Sequence, residues 1–215
     1  MKGNKLIIAS SNIGEISEFQ KILPDFECIP QSVFNISDVE ETGKDFEENA
    51  ILKAKNAFTK TNISSIGDDS GLIVPAIYNE PGLYSARYAG MNATDSDNRN
   101  KLISKLKDKK LESTYAYFFC CIVAIGIKGL DEIEVCGGKV EGEVRTIERG
   151  EKGFGYDPMF YPKGYSKSFA ELNSLEKNKI SHRAQALKNL IDKLNKTKFK
   201  VIYFTPFLYS FFLKL

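Results

Sequence analysis

From one end of the chain to the other, short apolar runs of strand character alternate with segments of helical spacing, and this constrains the fold more than any other feature. Leu6-Ile7-Ile8-Ala9 reads as a short buried strand; it passes through Ser10-Ser11-Asn12 into a segment with Ile16, Phe19 and Leu23 at helical spacing. Between residues 44 and 60, Phe46, Ala50, Ala54 and Ala57 share one helical face, and Asn49, Lys53 and Asn56 form a polar stripe along its edge, where it could border a cleft. Ile63 to Ile66 lead into Gly67-Asp68-Asp69-Ser70-Gly71, which is good turn chemistry, before Leu72-Ile73-Val74 resumes an extended pattern. Leu102, Ile103 and Leu106 predict a helix over 95–107, and Tyr115 to Ile127 is a β-rich run long enough for a central strand. Ile133, Val135, Val140 and Val144 predict a hairpin around Gly137-Gly138, and a Gly-rich loop from Gly150 to Gly155 ends at Asp157-Pro158. The last strong helix carries Ile180, Ala184, Leu187, Ile191 and Leu194. This interleaving predicts an α/β fold, and neither an internal repeat nor a low-complexity linker divides the chain.

Two hundred and fifteen residues with 42% hydrophobic content suffice for one well-cored domain with room for two lobes. Thirty Lys and Arg against 28 Asp and Glu leave a charge of +2, so no global basic field points to nucleic acid or a membrane surface, and any anion site must be local. The single histidine, His182, excludes a multi-histidine metal centre and leaves metal binding to carboxylates. Cys28, Cys120, Cys121 and Cys136 show no C-x-x-C spacing and read as buried thiols of a reducing compartment. The opening residues lack the length and cleavage signal of a secretory peptide, so a cytoplasmic location is expected. Residues 1–197 read as one domain. The apolar extension 198–215 is shorter than a membrane span of roughly 20 residues and is interrupted by Pro206; an edge strand, a subunit contact and a disordered end remain open for it.

Several polar clusters admit two readings. Asp68-Asp69 is either a solvated turn or a carboxylate pair, and Glu40-Glu41 is either an exposed acidic pair or part of a metal site. Two carboxylate clusters suit Mg²⁺, which takes few protein ligands beside waters and phosphate oxygens, and a further carboxylate can deprotonate water. Ser181 stands where it would N-cap the last helix, so His182 and Arg183 fall in the first turn. Cations there oppose the helix dipole at about 0.3–1 kcal/mol each, which suggests recruitment for a ligand against the plainer reading of a packed histidine and a solvated arginine. Phe154 offers a stacking surface in the Gly-rich loop, or belongs to a satellite core.

Nine motifs in order carry a resemblance. They are Ser11-Asn12-x-Gly14-x-x-x-Glu18, Glu40-Glu41-Thr42-Gly43, Phe46-x-Glu48-Asn49-Ala50-x-x-Lys53-Ala54, Asp68-Asp69-Ser70-Gly71-Leu72, Pro81-Gly82-x-x-Ser85-Ala86-Arg87-Tyr88, Gly153-Phe154-Gly155-Tyr156-Asp157-Pro158, Ala170-Glu171-Leu172, Glu176-Lys177 and Ser181-His182-Arg183. Over about residues 5 to 195 the chain resembles the inosine triphosphate pyrophosphatase family, also called Ham1-like. The resemblance implies an elongated mixed sheet flanked by helices, with two lobes and a central substrate cleft, usually as a homodimer. It also implies hydrolysis of ITP, dITP and XTP to the monophosphate and pyrophosphate with Mg²⁺. Carried over, Asp69 would be the general base, and Glu41 with Asp69 would hold the metal. Ser10, Ser11, Asn12, Lys53, Ser70 and Lys177 would hold the triphosphate, and Phe154, Gly155, Tyr156, Asp157, His182 and Arg183 would read the base. Glu40 and Asp68 stand beside these acids without an assigned part.

The chain departs from the family pattern at Glu15, where members usually carry a lysine facing the triphosphate. Asn12 as N-cap with Glu15 three residues on matches a capping box, so Glu15 is expected either to turn back to the backbone or to join the metal shell, and triphosphate affinity is expected to be lower than typical for the family. Two alternatives stand beside the main reading: a nucleotide-binding or sensing protein that lost catalysis through Glu15, and a Maf-like enzyme acting on modified pyrimidine triphosphates. The motifs at 154–157 and 181–183 speak against the latter.

Overall fold

The computed structural model describes residues 4–127 and 133–208, with side chains described to residue 196. In chain order the elements are β1 (Asn4–Ile8), α1 (Ile13–Ile22), β2 (Phe26–Pro30), α2 (Phe46–Thr61), β3 (Ser65–Val74), β4 (Glu80–Pro81), α3 (Asp95–Asp108), β5 (Ser113–Ile125), β6 (Ile133–Arg145), β7 (Phe160–Pro162), α4 (Ser174–Ile180) and α5 (His182–Leu208). The seven strands form one mixed sheet in the order β2-β1-β3-β5-β6-β7, with β4 paired to β3. β1 runs parallel to β2 and β3, and β3 to β7 are joined by antiparallel pairings. The mixed α/β class expected from the interleaved periods is therefore present, and the β-rich run 115–127 is central, flanked by β3 and β6.

Where helices meet this sheet, small residues set the distance. The Ala face of α2 lies against β3 at Gly67, where an added Cβ would stand 2.4 Å from the Ala50 carbonyl oxygen and 2.7 Å from the Ala54 nitrogen. α5 crosses β6 at Gly138 as closely, since a Cβ there would meet the His182 carbonyl oxygen at 2.1 Å. These contacts bring the polar edge of α2 and the first turn of α5 down onto β3 and β6. Core residues fill the sheet faces around them: Leu6, Ile122 and Leu187 beneath α1 and α5, Val123 and Ile125 beneath α2, and Leu72, Phe118 and Phe160 towards α3. Fully buried side chains such as Phe19 and Leu187 contribute roughly 2 kcal/mol each.

Three expectations are revised. Gly67-Asp68-Asp69-Ser70-Gly71 forms no turn but is the middle of β3, in continuous antiparallel register with Val123 to Phe119 of β5. Gly137-Gly138 is likewise mid-strand in β6, opposite Cys121 and Cys120; these glycines are present for helix approach and not for a hairpin. The helix through Ile180 and Leu194 is two helices that break at Ser181, which ends α4 and caps α5. Residues 198–208 continue α5, so that part of the apolar extension is helix and not an edge strand, while 209–215 lie outside the described residues.

Candidate active site

Because successive side chains of a strand point to opposite faces, β3 sends its two adjacent acids apart. Asp69 faces α2. Its Oδ2 accepts from Asn49 Nδ2 at 2.9 Å, and its Oδ1 accepts from the Ser70 N–H at 3.1 Å. Lys53, one turn further along α2, reaches over Asp69: its Nζ stands 3.7 Å from Asp69 Oδ1 and 2.5 Å from Glu41 Oε1, and it donates to the Asp68 carbonyl oxygen at 3.0 Å. Arg87 pairs with the other Glu41 oxygen. Burial works against the Glu41 charge, but Lys53 and Arg87 outweigh it and hold this carboxyl below its usual range. Asp69 is pushed up to about 6, mainly by burial and further by Glu41, with Lys53 and Asn49 pulling the other way.

The Lys53 ammonium thus stands as a cation between two carboxylates. The donors fit Mg²⁺: Glu41 and Asp69 offer hard oxygens converging on one positive charge, and Mg²⁺ commonly takes only one or two carboxylates plus substrate phosphates. Among the described residues no group of three or more His, Cys, Asp or Glu encloses a metal position by itself.

Asp68 faces the other side, towards α1 and α5, and meets Arg183. The guanidinium is 1% exposed and donates through Nε and Nη2 to Asp68 Oδ2 at 3.1 and 2.8 Å. Its Nη1 pairs with Glu18 and its Nη2 with Glu15 Oε1 at 3.2 Å. Lys177, from α4, joins the same cluster at 2.9 Å from Glu18 Oε1 and 2.6 Å from Asp157 Oδ2. Burial opposes these charges, yet Arg183 and Lys177 hold Glu18 down at about 2, while Asp157 and Glu18 keep Lys177 above its ordinary value. The expected dipole penalty in the first turn of α5 is avoided, because Arg183 is compensated and His182 is neutral. Burial, and next the Arg183 charge, push the His182 imidazole down to about 3.

The first loop departs from the capping-box expectation. Asn12 is the N-cap of α1 and accepts from Gly14 N at 2.9 Å and Glu15 N at 3.2 Å. Glu15 does not return to Asn12. Instead the Asn12 N–H donates to Ser10 Oγ at 3.0 Å, and the Ser10 hydroxyl donates to Glu15 Oε2 at 2.7 Å, because Arg183 draws the carboxylate inward. Burial first, then Asp68, raises Glu15 to about 7 against the pull of Arg183 and Lys53. Ser11 is exposed and donates to Asp38 Oδ1 at 2.8 Å. Ser70 donates to Asp68 Oδ2 at 3.0 Å.

The Gly-rich loop supplies an aromatic wall. Phe154 covers Gly14, with Lys177 Nζ 4.7 Å from its ring centroid. Its N–H donates to Asp157 Oδ2 at 3.0 Å. The Gly155 peptide is clamped by the start of α3: its N–H donates to Asp95 Oδ2 at 2.6 Å and its carbonyl accepts from Arg99 Nη1 at 2.9 Å. Tyr156 is buried and donates to the Ser85 carbonyl at 2.9 Å. His182 stacks on Phe118 with ring centroids 4.7 Å apart and planes 11° from parallel, and its buried Nδ1 has no hydrogen-bond partner among the described residues.

Many of these residues line two joined cavities, whose walls include neither Asp69 nor Asn49. A narrow one of about 100 Å³ is lined by Ser70, Phe154 to Asp157, Lys177, His182 and Arg183. A second of about 530 Å³, within the range of small-molecule sites, is lined by Ser10, Ser11, Glu40, Glu41, Lys53 and Arg87. Asn12, Glu15 and Ala86 belong to both. A larger cavity of about 660 Å³ around Lys107, Glu112, Arg145 and Arg149 contains none of the predicted residues and brings no buried polar group to a focus. Glu40 is exposed, whereas Asp68 is a buried partner of Arg183. Sequence reasoning places Asn49 on the polar stripe and Glu18, Asn49 and Arg87 in the motifs but gives no site role to them or to Asp95 and Arg99. The role of Glu18 was findable, since Glu18 lies three residues after Glu15 and so on the same face of α1.

The Ham1 family model matches residues 6–193. A protein of Legionella pneumophila (strain Lens), named dITP/XTP pyrophosphatase, is 46% identical over 186 residues, covering 86% of this chain and 96% of that one. The structure of a HAM1 protein from Coxiella burnetii superposes with a TM-score of 0.79 at 40% identity, covering 89% of this chain and 98% of that chain. The Staphylococcus aureus Ham1 protein gives 0.77 at 44% identity with the same coverage. The order of the motifs, the sheet and the two joined cavities now rest on one assignment: this chain belongs to the Ham1 family.

Proposed function

We propose that this protein hydrolyses dITP, XTP and ITP to the nucleoside monophosphate and pyrophosphate. The observation that supports this most is the meeting of two cavities of different chemistry at Asn12 and Glu15, one acidic and cation-holding, the other narrow and aromatic. The triphosphate lies along Ser10, Ser11, Asn12 and Lys53, with Ser70 and Lys177 on the wall of the adjoining narrow cavity, which the base enters between two lobes of the domain. Glu41 and Asp69 would hold Mg²⁺, which when bound would supply charge neutralisation on the phosphate oxygens. Lys53 adds a positive charge beside the same oxygens, so the residues act mainly by positioning and electrostatics. Asp69, raised to about 6 in the metal-free protein, is ionised at neutral pH and takes the proton from water attacking the α-phosphorus.

Phe154 stacks on the purine. His182, neutral and carrying one N–H, meets the 6-oxo group. A donor placed there faces an amino group in ATP and is left unpaired, an arrangement able to reject an analogue by roughly 10⁴-fold. Arg183 shapes this cavity by tying α1, β3 and α5 together. The same family membership supports a cytoplasmic homodimer acting on free nucleotides; among the described residues no helix is long and apolar enough to cross a membrane. Hydrolysis in ¹⁸O-labelled water tests the site of attack. The label is expected in the monophosphate, and its appearance in pyrophosphate or inorganic phosphate contradicts attack at the α-phosphorus.

A further inference from the structure

We infer that Asn49 is a positioning residue for the reaction: its single side-chain amide holds the Asp69 carboxylate and the loop bearing Glu41 in one fixed arrangement. The inference rests on the reading above, in which Asp69 and Glu41 are the base and the metal carboxylates.

Asn49 lies in the first turn of α2 and is fully buried, a costly place for a primary amide unless every polar atom is used. Both ends are used. Its Oδ1 accepts from the Gly43 N–H at 2.7 Å, and its Nδ2 donates to Asp69 Oδ2 at 2.9 Å. A backbone N–H only donates and a carboxylate only accepts, so the amide fits in one orientation alone. Gly43 follows Glu41 by two residues, and Glu41 returns through Lys53 to Asp69. The contacts therefore close a ring: Asn49, Asp69, Lys53, Glu41, the chain to Gly43, and Asn49 again. Asp69 has its second oxygen fixed by the Ser70 N–H, so Asn49 settles the plane of the carboxylate. There is no slack on the loop side, since a Cβ on Gly43 would stand 2.5 Å from Asn49 Oδ1 and 2.8 Å from the Asn49 nitrogen. The close approach of Ala50 to Gly67 fixes the height of the amide above β3.

Three variants test it with saturating Mg²⁺ and ITP as substrate. Asn49→Leu removes both contacts while keeping the branched outline of the side chain, and its larger volume makes the two further variants necessary controls. It is expected to lower kcat roughly 10- to 100-fold, the effect of one hydrogen bond to a charged group, with KM within threefold of wild type. It should also speed hydrogen exchange at the Gly43 amide at least tenfold while exchange in the middle of α2 is unchanged. Asn49→Asp keeps the acceptor for Gly43 and loses the donor to Asp69, so kcat falls as far while Gly43 exchange stays at the wild-type rate. Gly43→Ala attacks the ring from the loop, is expected to lower kcat likewise, and decides the matter if neither Asn49 variant folds. A folded variant whose kcat stays within twofold of wild type, or whose loss lies in KM alone, overturns the inference, as does unchanged Gly43 exchange in Asn49→Leu. If the wild type itself releases no pyrophosphate from ITP, the functional reading fails separately, and Gly43 exchange still decides whether the amide anchors the loop.

Discussion

Replacing Glu15 with glutamine should reverse part of the pH dependence of stability. Glu15 is raised from 4.5 to about 7, chiefly by burial and by Asp68. A carboxyl whose folded value lies above its unfolded one binds its proton more tightly in the native state, so it stabilises the fold at low pH, and that contribution is lost as pH rises through about 7. Taking 4.5 for the unfolded chain, the loss between pH 5 and pH 8 is roughly 2 to 3 kcal/mol. The side chain is only 19% exposed, so solvent screening removes little of it. Glu15→Gln keeps a carbonyl acceptor for the Ser10 hydroxyl and removes the titration. His182 works in the opposite direction, its neutral buried ring losing stability as pH falls below 6.5, and Asp69 adds to the Glu15 trend. Both titrate in wild type and variant alike, so they cancel in the difference. Denaturant unfolding without nucleotide or Mg²⁺ should therefore show the variant gaining on wild type by roughly 2 to 3 kcal/mol from pH 5 to pH 8, or about 5–10 °C in Tm. A difference that stays constant across this range, or that grows in favour of wild type, refutes the account of Glu15 as a buried, partly protonated acid beside Asp68.

Other outcomes follow from the same geometry. Glu15→Lys removes an anion from the meeting point of the two cavities and is expected to lower KM for ITP about fivefold, equivalent to about 1 kcal/mol; steady-state kinetics that show KM unchanged or raised exclude a phosphate-facing position for residue 15. Glu18→Gln leaves Arg183 and Lys177 short of a buried counter-charge and should cost roughly 3–5 kcal/mol in chemical denaturation, whereas a loss below about 1 kcal/mol means the cluster does not depend on it. His182→Ala should narrow the preference for ITP over ATP more than it alters the Mg²⁺ requirement, measured by paired substrate and metal titrations; equal loss on both nucleotides with a raised Mg²⁺ requirement contradicts base recognition by His182.

Much of this was legible in the sequence where period and chemistry agreed. The Ala face of α2, the run ending at Ile125 and the capping role of Asn12 all follow from side-chain spacing. Misreadings arose where a local rule met a tertiary constraint. Gly67-Asp68-Asp69-Ser70-Gly71 has the composition of a turn, but Gly67 and Gly71 are small because α2 and the segment at Gly82 press against the strand. Gly137-Gly138 looked like a hairpin, yet Gly138 makes room for α5. Glu15 satisfied a capping-box pattern, and a buried arginine more than 160 positions away drew it elsewhere, an interaction no local window contains. The alternation that defines a strand separated Asp68 from Asp69 and gave them different partners, which only the assignment of β3 as a continuous strand could reveal.

The central claim is tested most directly by measuring pyrophosphate release from ITP, dITP, XTP, ATP, GTP and a modified UTP with Mg²⁺, for the wild type and for Asp69→Asn. The account predicts release from ITP, dITP and XTP well above that from ATP, and its fall by at least about 10²-fold in Asp69→Asn, the scale of a lost general base. Retained ITP binding without release points instead to a nucleotide sensor, preference for the modified pyrimidine to a Maf-like specificity, and an undiminished Asp69→Asn to a different base; each contradicts the account.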